Sequence, residues 1–183
     1  MEERKSINKW YRLATYYNTY TGFVNIDLAV SEFDFGVKIN VVFTISPVKT
    51  PGAKPGTVGA YDHQRKIQYS LSETELSAFV PKLRTFLTME EFEYKFPTHF
   101  TQDKRHWTNL SFKKKKDVKG AIFYISSNKN TNDERYSAAI TLDEMKNLYF
   151  NLLSVVQNLA ILKVKFISKK EELASWQNRN ILI

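Results

Sequence analysis

Strict alternation of apolar and polar residues marks the first half of this chain. Over residues 36–46, Val37, Ile39, Val41, Phe43 and Ile45 fall on one side, and Lys38, Asn40, Val42 and Thr44 on the other. A period of two is that of a half-buried strand. Residues 22–30 alternate in the same way, and residues 57–63 and 66–71 predict a further pair of strands joined by a tight turn. Residues 47–57 hold three prolines and two glycines and predict a loop. Upstream, Ile7, Trp10, Tyr11 and Leu13 line one side of a short amphipathic helix over residues 5–17.

The strand pattern then gives way to a helical one, and it does so twice. Lys66-Ile-Gln-Tyr-Ser-Leu-Ser-Glu-Thr-Glu-Leu76 and Arg135-Tyr-Ser-Ala-Ala-Ile-Thr-Leu-Asp-Glu-Met145 carry the same motif 69 residues apart. Each places a hydroxyl (Ser72, Thr141) three residues before a glutamate (Glu75, Glu144). That spacing is the capping box, which satisfies amide groups left unpaired at a helix start. A strands-then-helix unit repeated only twice predicts a closed pseudo-symmetric domain rather than a solenoid. In the second copy, strands are expected at residues 94–100, 105–113, 118–127 and 135–140, with a polar turn at 128–133.

The first helix, residues 73–87, has an apolar stripe of Leu76, Phe79, Val80, Leu83 and Leu87, interrupted by Pro81. The second, residues 142–162, is apolar over most of its circumference, leaving Asn147, Asn151, Ser154 and Asn158 as its polar stripe. A helix this broadly apolar buries more than one side. Leu148, Phe150, Leu152, Val155 and Leu159 are therefore candidate contacts with further copies of the chain. A short third helix is expected from residue 168 to about residue 177. The domain boundaries that follow are an N-terminal extension at 1–19, one domain at 20–162 and a C-terminal extension at 163–183.

Composition narrows the function. Lys and Arg outnumber Asp and Glu by 27 to 19, for a net charge of +8, which favours a polyanionic partner. Cysteine is absent, excluding disulfides and thiolate metal sites. The charged start, without an apolar stretch behind it, and the lack of any uninterrupted apolar run of about 20 residues predict a soluble cytoplasmic protein without a membrane partner. Abundant Lys, Asn, Ile, Tyr and Phe fit an A/T-rich genome, bacterial or phage.

Catalytic signals are weak. His63, His99 and His106 lack metal-ligand spacing, and Gly52-Ala-Lys-Pro-Gly-Thr57 lacks the Gly-Lys-Ser/Thr ending of a phosphate loop. No cofactor or metal is expected, and an enzyme is the least favoured reading. The cations, by contrast, are concentrated. Residues 101–120 hold Lys104, Arg105, Lys113, Lys114, Lys115, Lys116 and Lys119 against Asp103 and Asp117, which is five of the eight net charges. With Leu110 and Phe112 on a core face, Arg105, Trp107, Asn109, Ser111 and Lys113 share the opposite face. Cations and rings on one open face suit single-stranded nucleic acid, since lysines neutralise phosphates and rings stack on unpaired bases. A lysine run at a hairpin tip is also what a solvated turn looks like. The candidate binding set is Lys38, Tyr61, Arg65, Lys66, Lys104, Arg105, Trp107, Lys113, Lys115 and Lys119, with Tyr20 as a further ring.

At Tyr61-Asp-His-Gln-Arg-Lys-Ile-Gln-Tyr-Ser-Leu-Ser72 the chain resembles the Whirly proteins, with their Tyr-Asp-Trp, Arg-Lys and Ser-Leu-Ser run entering the first helix. His106-Trp-Thr-Asn-Leu-Ser111 resembles the family's aromatic-Asn-Leu-Ser strand, and Ile140-Thr-Leu-Asp-Glu-Met145 its second helix entry. The resemblance spans roughly residues 20–162. It implies an α+β fold of two four-stranded antiparallel sheets packed face to face, each followed by a helix, and a homotetramer held by those helices. It further implies single-stranded DNA binding with little sequence preference, along sheet edges between neighbouring subunits, and the primary reading is a non-enzymatic protein that coats single strands in replication, recombination or repair. Related folds, including the kinetoplastid guide-RNA-binding proteins and Pur-alpha, bind RNA or single strands. The chain departs from the family at His63, which replaces the Trp of Tyr-Asp-Trp, and near Thr21-Gly-Phe-Val24, where the plant Lys-Gly-Lys-Ala motif has no counterpart. The alternatives are an RNA-binding or transcription-regulating module and a structural homo-oligomer whose charge confers solubility.

Overall fold

A computed structural model describes residues 8–180, apart from residues 19, 34–35, 55–56, 117–119 and 131. Two antiparallel sheets, each followed by a helix, make up an α+β fold. The first sheet has the order β1 (Asn8–Asn18), β2 (Gly22–Phe33), β3 (Gly36–Pro47) and β4 (Ile67–Leu71), and leads into α1 (Glu73–Phe86). In the second, β5 (Phe92–Lys95), β7 (Trp107–Lys114), β8 (Ala121–Asn130) and β9 (Asn132–Ile140) lie side by side. A two-residue strand, β6 (His99–Phe100), also pairs with β7, so this sheet has five strands rather than the expected four. It leads into α2 (Leu142–Asn180).

The inner faces of both sheets are apolar, as the alternation requires. Val24, Ile26, Ile39, Val41, Phe43 and Ile45 from the first sheet meet Leu110, Phe112, Phe123 and Ala138 from the second in one core. The Phe43 and Phe123 rings lie 5.2 Å apart, and Phe112 stacks on Phe123 at 4.3 Å. Strand β9 touches β1, β2 and β3 in turn, so it runs across the first sheet, while β4 lies against β7 and β8. Gly22 allows this close approach, and Gly120 a tight start to the β8–β9 pairing within the second sheet. A Cβ on Gly22 would sit 2.6 Å from the Ser137 carbonyl oxygen, and one on Gly120 only 2.1 Å from that of Ile140.

Both capping boxes form. Ser72 Oγ accepts from the Glu75 amide at 3.3 Å while Glu75 Oε2 accepts from the Ser72 amide at 2.8 Å. Thr141 and Glu144 repeat this at 3.2 and 2.7 Å. The buried face of α1 is Leu76, Phe79, Val80, Leu83 and Phe86, and Pro81 lies on its solvent side without ending it.

Several boundaries differ from expectation. Residues 8–18 form an edge strand, not a helix, which puts most of the supposed N-terminal extension inside the first sheet. A register shift between Arg12 and Ala14 accounts for the misreading. A bulge inserts one residue, so apolar positions on the two sides of it mimic a helical spacing. Residues 57–63 form turns with one isolated bridge, Val48 to Tyr61, rather than a strand. Pro97 has no amide hydrogen to offer and separates β5 from β6. Residues 128–133 contain the ends of β8 and β9 around residue 131 in place of a longer polar turn.

Helix α2 runs unbroken for 39 residues, so the domain end at 162 and the separate third helix both give way to one helix of about 58 Å. Over Leu142–Ser168 it is long and apolar enough, by length and composition, to cross a membrane, a span that counting uninterrupted apolar runs had passed over. Met145, Leu148, Leu152 and Val155 are buried in the core, whereas Phe150, Ile161, Val164 and Ile167 are exposed. Of the five residues expected at a contact with further copies, Leu148, Leu152 and Val155 thus pack within their own chain. Leu159 is half-buried against the same core and Phe150 faces outward.

Candidate nucleic-acid interface

Strand β4 is an edge of the first sheet, and where it meets β6 and β7 a groove of about 500 Å³ opens between the two sheets. One wall carries Gln64, Lys66 and Gln68, and the other His99, Thr101, His106, Trp107 and Thr108. Alternation on β7 sends Leu110 and Phe112 into the core and leaves Trp107 half-buried at the groove, as its phase predicts. Lys66, just before β4, is exposed and makes no ion pair among the described residues.

A polar knot fixes the groove floor. Tyr69 points inward and is buried, its hydroxyl donating to the Pro97 carbonyl at 2.6 Å, and its ring stacks on His99 at 4.3 Å. His99 Nε2 lies 2.8 Å from Glu75 Oε1 and 3.1 Å from the Tyr69 oxygen. Glu75 therefore closes the α1 cap with one oxygen and holds the β6 histidine with the other. Burial pushes its carboxyl pKa up, but the Ser72 amide, His99 and the Ser72 hydroxyl outweigh burial and hold it below the ordinary 4.5. Burial pushes the Tyr69 phenol well above its ordinary value, so it stays a neutral hydrogen-bonding group.

The mouth is a tight basic turn. The Thr101 amide donates to the His106 carbonyl at 2.9 Å, and Lys104 takes a φ of 57°. Asp103 braces it by accepting from the Thr101 hydroxyl and from the Arg105 amide, which hold its carboxyl below the ordinary range. Lys104 and Arg105 project from this turn into solvent, with Arg105 Nε 3.8 Å from Asp103.

Other sequence candidates lie elsewhere. Lys113 sits toward the far end of β7, about 20 Å from Trp107 along the strand, and Lys115 lies just past that end. Lys113 is paired to Glu93 at 3.1 Å. Lys38 is exposed at the far end of β3, about 26 Å along the sheet from the Lys66 end. Arg65 bridges the sheets, bonding Glu134 at 3.0 Å and lying over the Tyr136 ring at 5.7 Å. Tyr61 is buried against Phe23, with its hydroxyl 3.4 Å from the Asn18 carbonyl, so it is not an open stacking platform; Tyr20 is open. Lys119 lies outside the described residues. The structure thus gathers Lys66 and Trp107 at one groove, with Lys104 and Arg105 on the turn between two of its lining residues, Thr101 and His106. It also adds Gln64, Gln68, His99 and His106, whose convergence depends on the packing of one sheet on the other. No cluster of three or more His, Asp or Glu side chains suited to a metal occurs among the described residues.

No protein-family model and no curated protein sequence matches this chain. Solved structures do. The plant transcriptional regulator PBF-2 superposes with a TM-score of 0.61 at 18% identity, over 93% of this chain and 91% of its own. WHY3 from Arabidopsis thaliana gives 0.61 at 19%, over 94% and 99%. WHY1 from the same plant gives 0.59 at 19%, over 96% of each chain. The chain has a Whirly-like fold.

Proposed function

We propose that this protein binds single-stranded DNA with little sequence preference, without enzymatic activity, where unpaired strands arise in replication, recombination or repair. The groove carries the reading. A half-buried indole, Trp107, and an unpaired lysine, Lys66, face one channel, and the turn between its lining residues Thr101 and His106 carries Lys104 and Arg105. The channel admits an unpaired strand. Lysines track its phosphates, and the indole stacks on a base at about 1–3 kcal/mol, a contact that tolerates any base.

Several copies act together in this reading, four by the resemblance to Whirly proteins. The exposed Phe150, Ile161, Val164 and Ile167 on α2 supply the apolar surface that further copies cover. Assembly places several grooves side by side, so one long strand gains avidity by crossing subunits. A second reading is transcription regulation or RNA binding on the same fold, and the likeness to a plant transcriptional regulator favours the first of these. The same groove serves either role.

Trp107→Ala tests the proposal. Fluorescence anisotropy with labelled single strands is expected to show affinity falling by about ten-fold or more, in line with the loss of one stacked base. Chemical denaturation alongside is expected to show a smaller stability loss than the ~3–5 kcal/mol of a buried indole. A full-sized stability loss with unchanged binding would assign Trp107 to the core and remove the groove's main contact.

A further inference from the structure

The outer face of the first sheet holds a second site, separate from the groove. Cross-strand register lines up Thr15, Asn25, Thr44 and Gln68 as one polar row over all four strands, with Tyr17, Phe23 and Ser46 in the next row. The open face of an antiparallel sheet is ordinarily solvated. Here Asp27, Thr44 and Ser46 are buried at the bottom of a trough of about 450 Å³. Its sides rise from the two edge strands, with Trp10 and Arg12 on β1 and Gln68 on β4, joined by Lys66 just ahead of it.

Three polar groups point to a ligand. Ser46 Oγ is fully buried and makes no hydrogen bond among the described residues. Asn25 Oδ1 is saturated, accepting from Thr15 and Arg12, but its amide NH₂ donates to nothing described. Gln68 uses its NH₂ on Thr44 at 3.0 Å and leaves its carbonyl oxygen unused. The buried Ser46 hydroxyl is costly to leave unpaired, and the unused Asn25 and Gln68 groups stand open beside it for the same occupant. An exposed ring, Trp10, completes the site, with Phe23 and His63 also in its lining. Lys66 and Gln68 line both this trough and the groove, so the two join over the β4 edge.

We propose that this trough is a nucleobase subsite, resting on the single-strand reading of the groove. A strand leaving the groove crosses β4 beside Lys66 and lays a base in the trough. There a ring stacks on its face, while Asn25, Ser46 and Gln68 hydrogen-bond its edge. Edge contacts discriminate among bases where stacking does not. The trough therefore gives an otherwise tolerant binder a base preference at one position of the bound strand.

The test uses the intact protein and oligodeoxynucleotides of about ten residues, each carrying 5-iodouracil at one position of a scan. Photocrosslinking is expected to attach one strand position to Trp107 and a second position to Trp10. In anisotropy titrations, Gln68→Ala is expected to flatten the preference among the four homopolymers, and Trp10→Ala to lower affinity by about ten-fold. Crosslinks at Trp107 alone, with Gln68→Ala retaining the wild-type order of homopolymers, would overturn the subsite and leave the groove standing. Absence of binding by the wild-type chain to any strand would instead remove the groove reading, and this one with it.

Discussion

Glu75→Ala is expected to destabilise the protein about twice as much as Glu144→Ala, although both residues close the same capping motif. Losing the reciprocal cap costs ~1 kcal/mol at either helix. At α2 that is the whole effect, because Glu144 touches only Thr141 among the hydrogen bonds it makes. At α1 the same carboxylate also holds His99 at 2.8 Å and lies 3.4 Å from the Tyr69 hydroxyl. A hydrogen bond to a charged group contributes roughly 1.5–3 kcal/mol when dry. The His99 side chain is 38% exposed, and screening reduces the value to ~1 kcal/mol. Urea denaturation at neutral pH is expected to give losses of ~2 and ~1 kcal/mol, or roughly 4–8 °C against 2–4 °C in Tm. The pH dependence has a definite sign. Glu75 has a folded pKa below its ordinary 4.5, so its contribution is complete above that pH and fades as pH falls through the folded value. The gap between wild type and Glu75→Ala is therefore expected to narrow only in acid. Equal losses for the two variants, or a gap that widens in acid, would refute the claim that the α1 cap and the groove floor are one network.

Gly120→Ala is expected to cost about 3 kcal/mol or prevent folding, because its Cβ would collide with the Ile140 carbonyl at a φ of 124°. Gly36→Ala, with nothing within 4 Å, is expected to stay within ~0.5 kcal/mol in the same denaturation assay. Phe150→Glu is expected to leave the fold intact while lowering the assembly state by light scattering, since the ring is 63% exposed on the outer side of α2. Lys66→Gln is expected to flatten the dependence of log affinity on log salt by about 0.7, the share of one phosphate contact on a single strand. Lys38→Gln, at the far end of β3, is expected to change that slope less.

Elements whose local chemistry agreed with their tertiary setting were legible in advance. The alternation on β3, the two capping boxes and the phase of β7 each follow from a short window, and Leu110 and Phe112 are buried where that phase puts them. Strand β1 was hidden by its bulge, and α2 was cut short because its polar end continues a helix that periodicity alone had closed. Site residues were harder for a physical reason. Lys113 and Trp107 are near in sequence yet lie toward opposite ends of a strand, while Lys66 and Trp107 meet only because β4 packs beside β7. Pairing also removes candidates that composition counts as available cations, as Glu134 does for Arg65 and Glu93 for Lys113. The trough on the first sheet was invisible for a related reason, since Asn25, Thr44 and Gln68 come from three strands and look like ordinary solvent-facing positions one at a time.

Binding isotherms for single-stranded DNA, duplex DNA and single-stranded RNA of equal length, taken across a salt series, test the central claim most directly. A groove that combines an indole with unpaired lysines predicts single strands bound well above duplex, with affinity falling linearly in log salt and a stacking contribution that survives at high salt. Equal affinity for duplex and single strand, or affinity independent of salt, would contradict it.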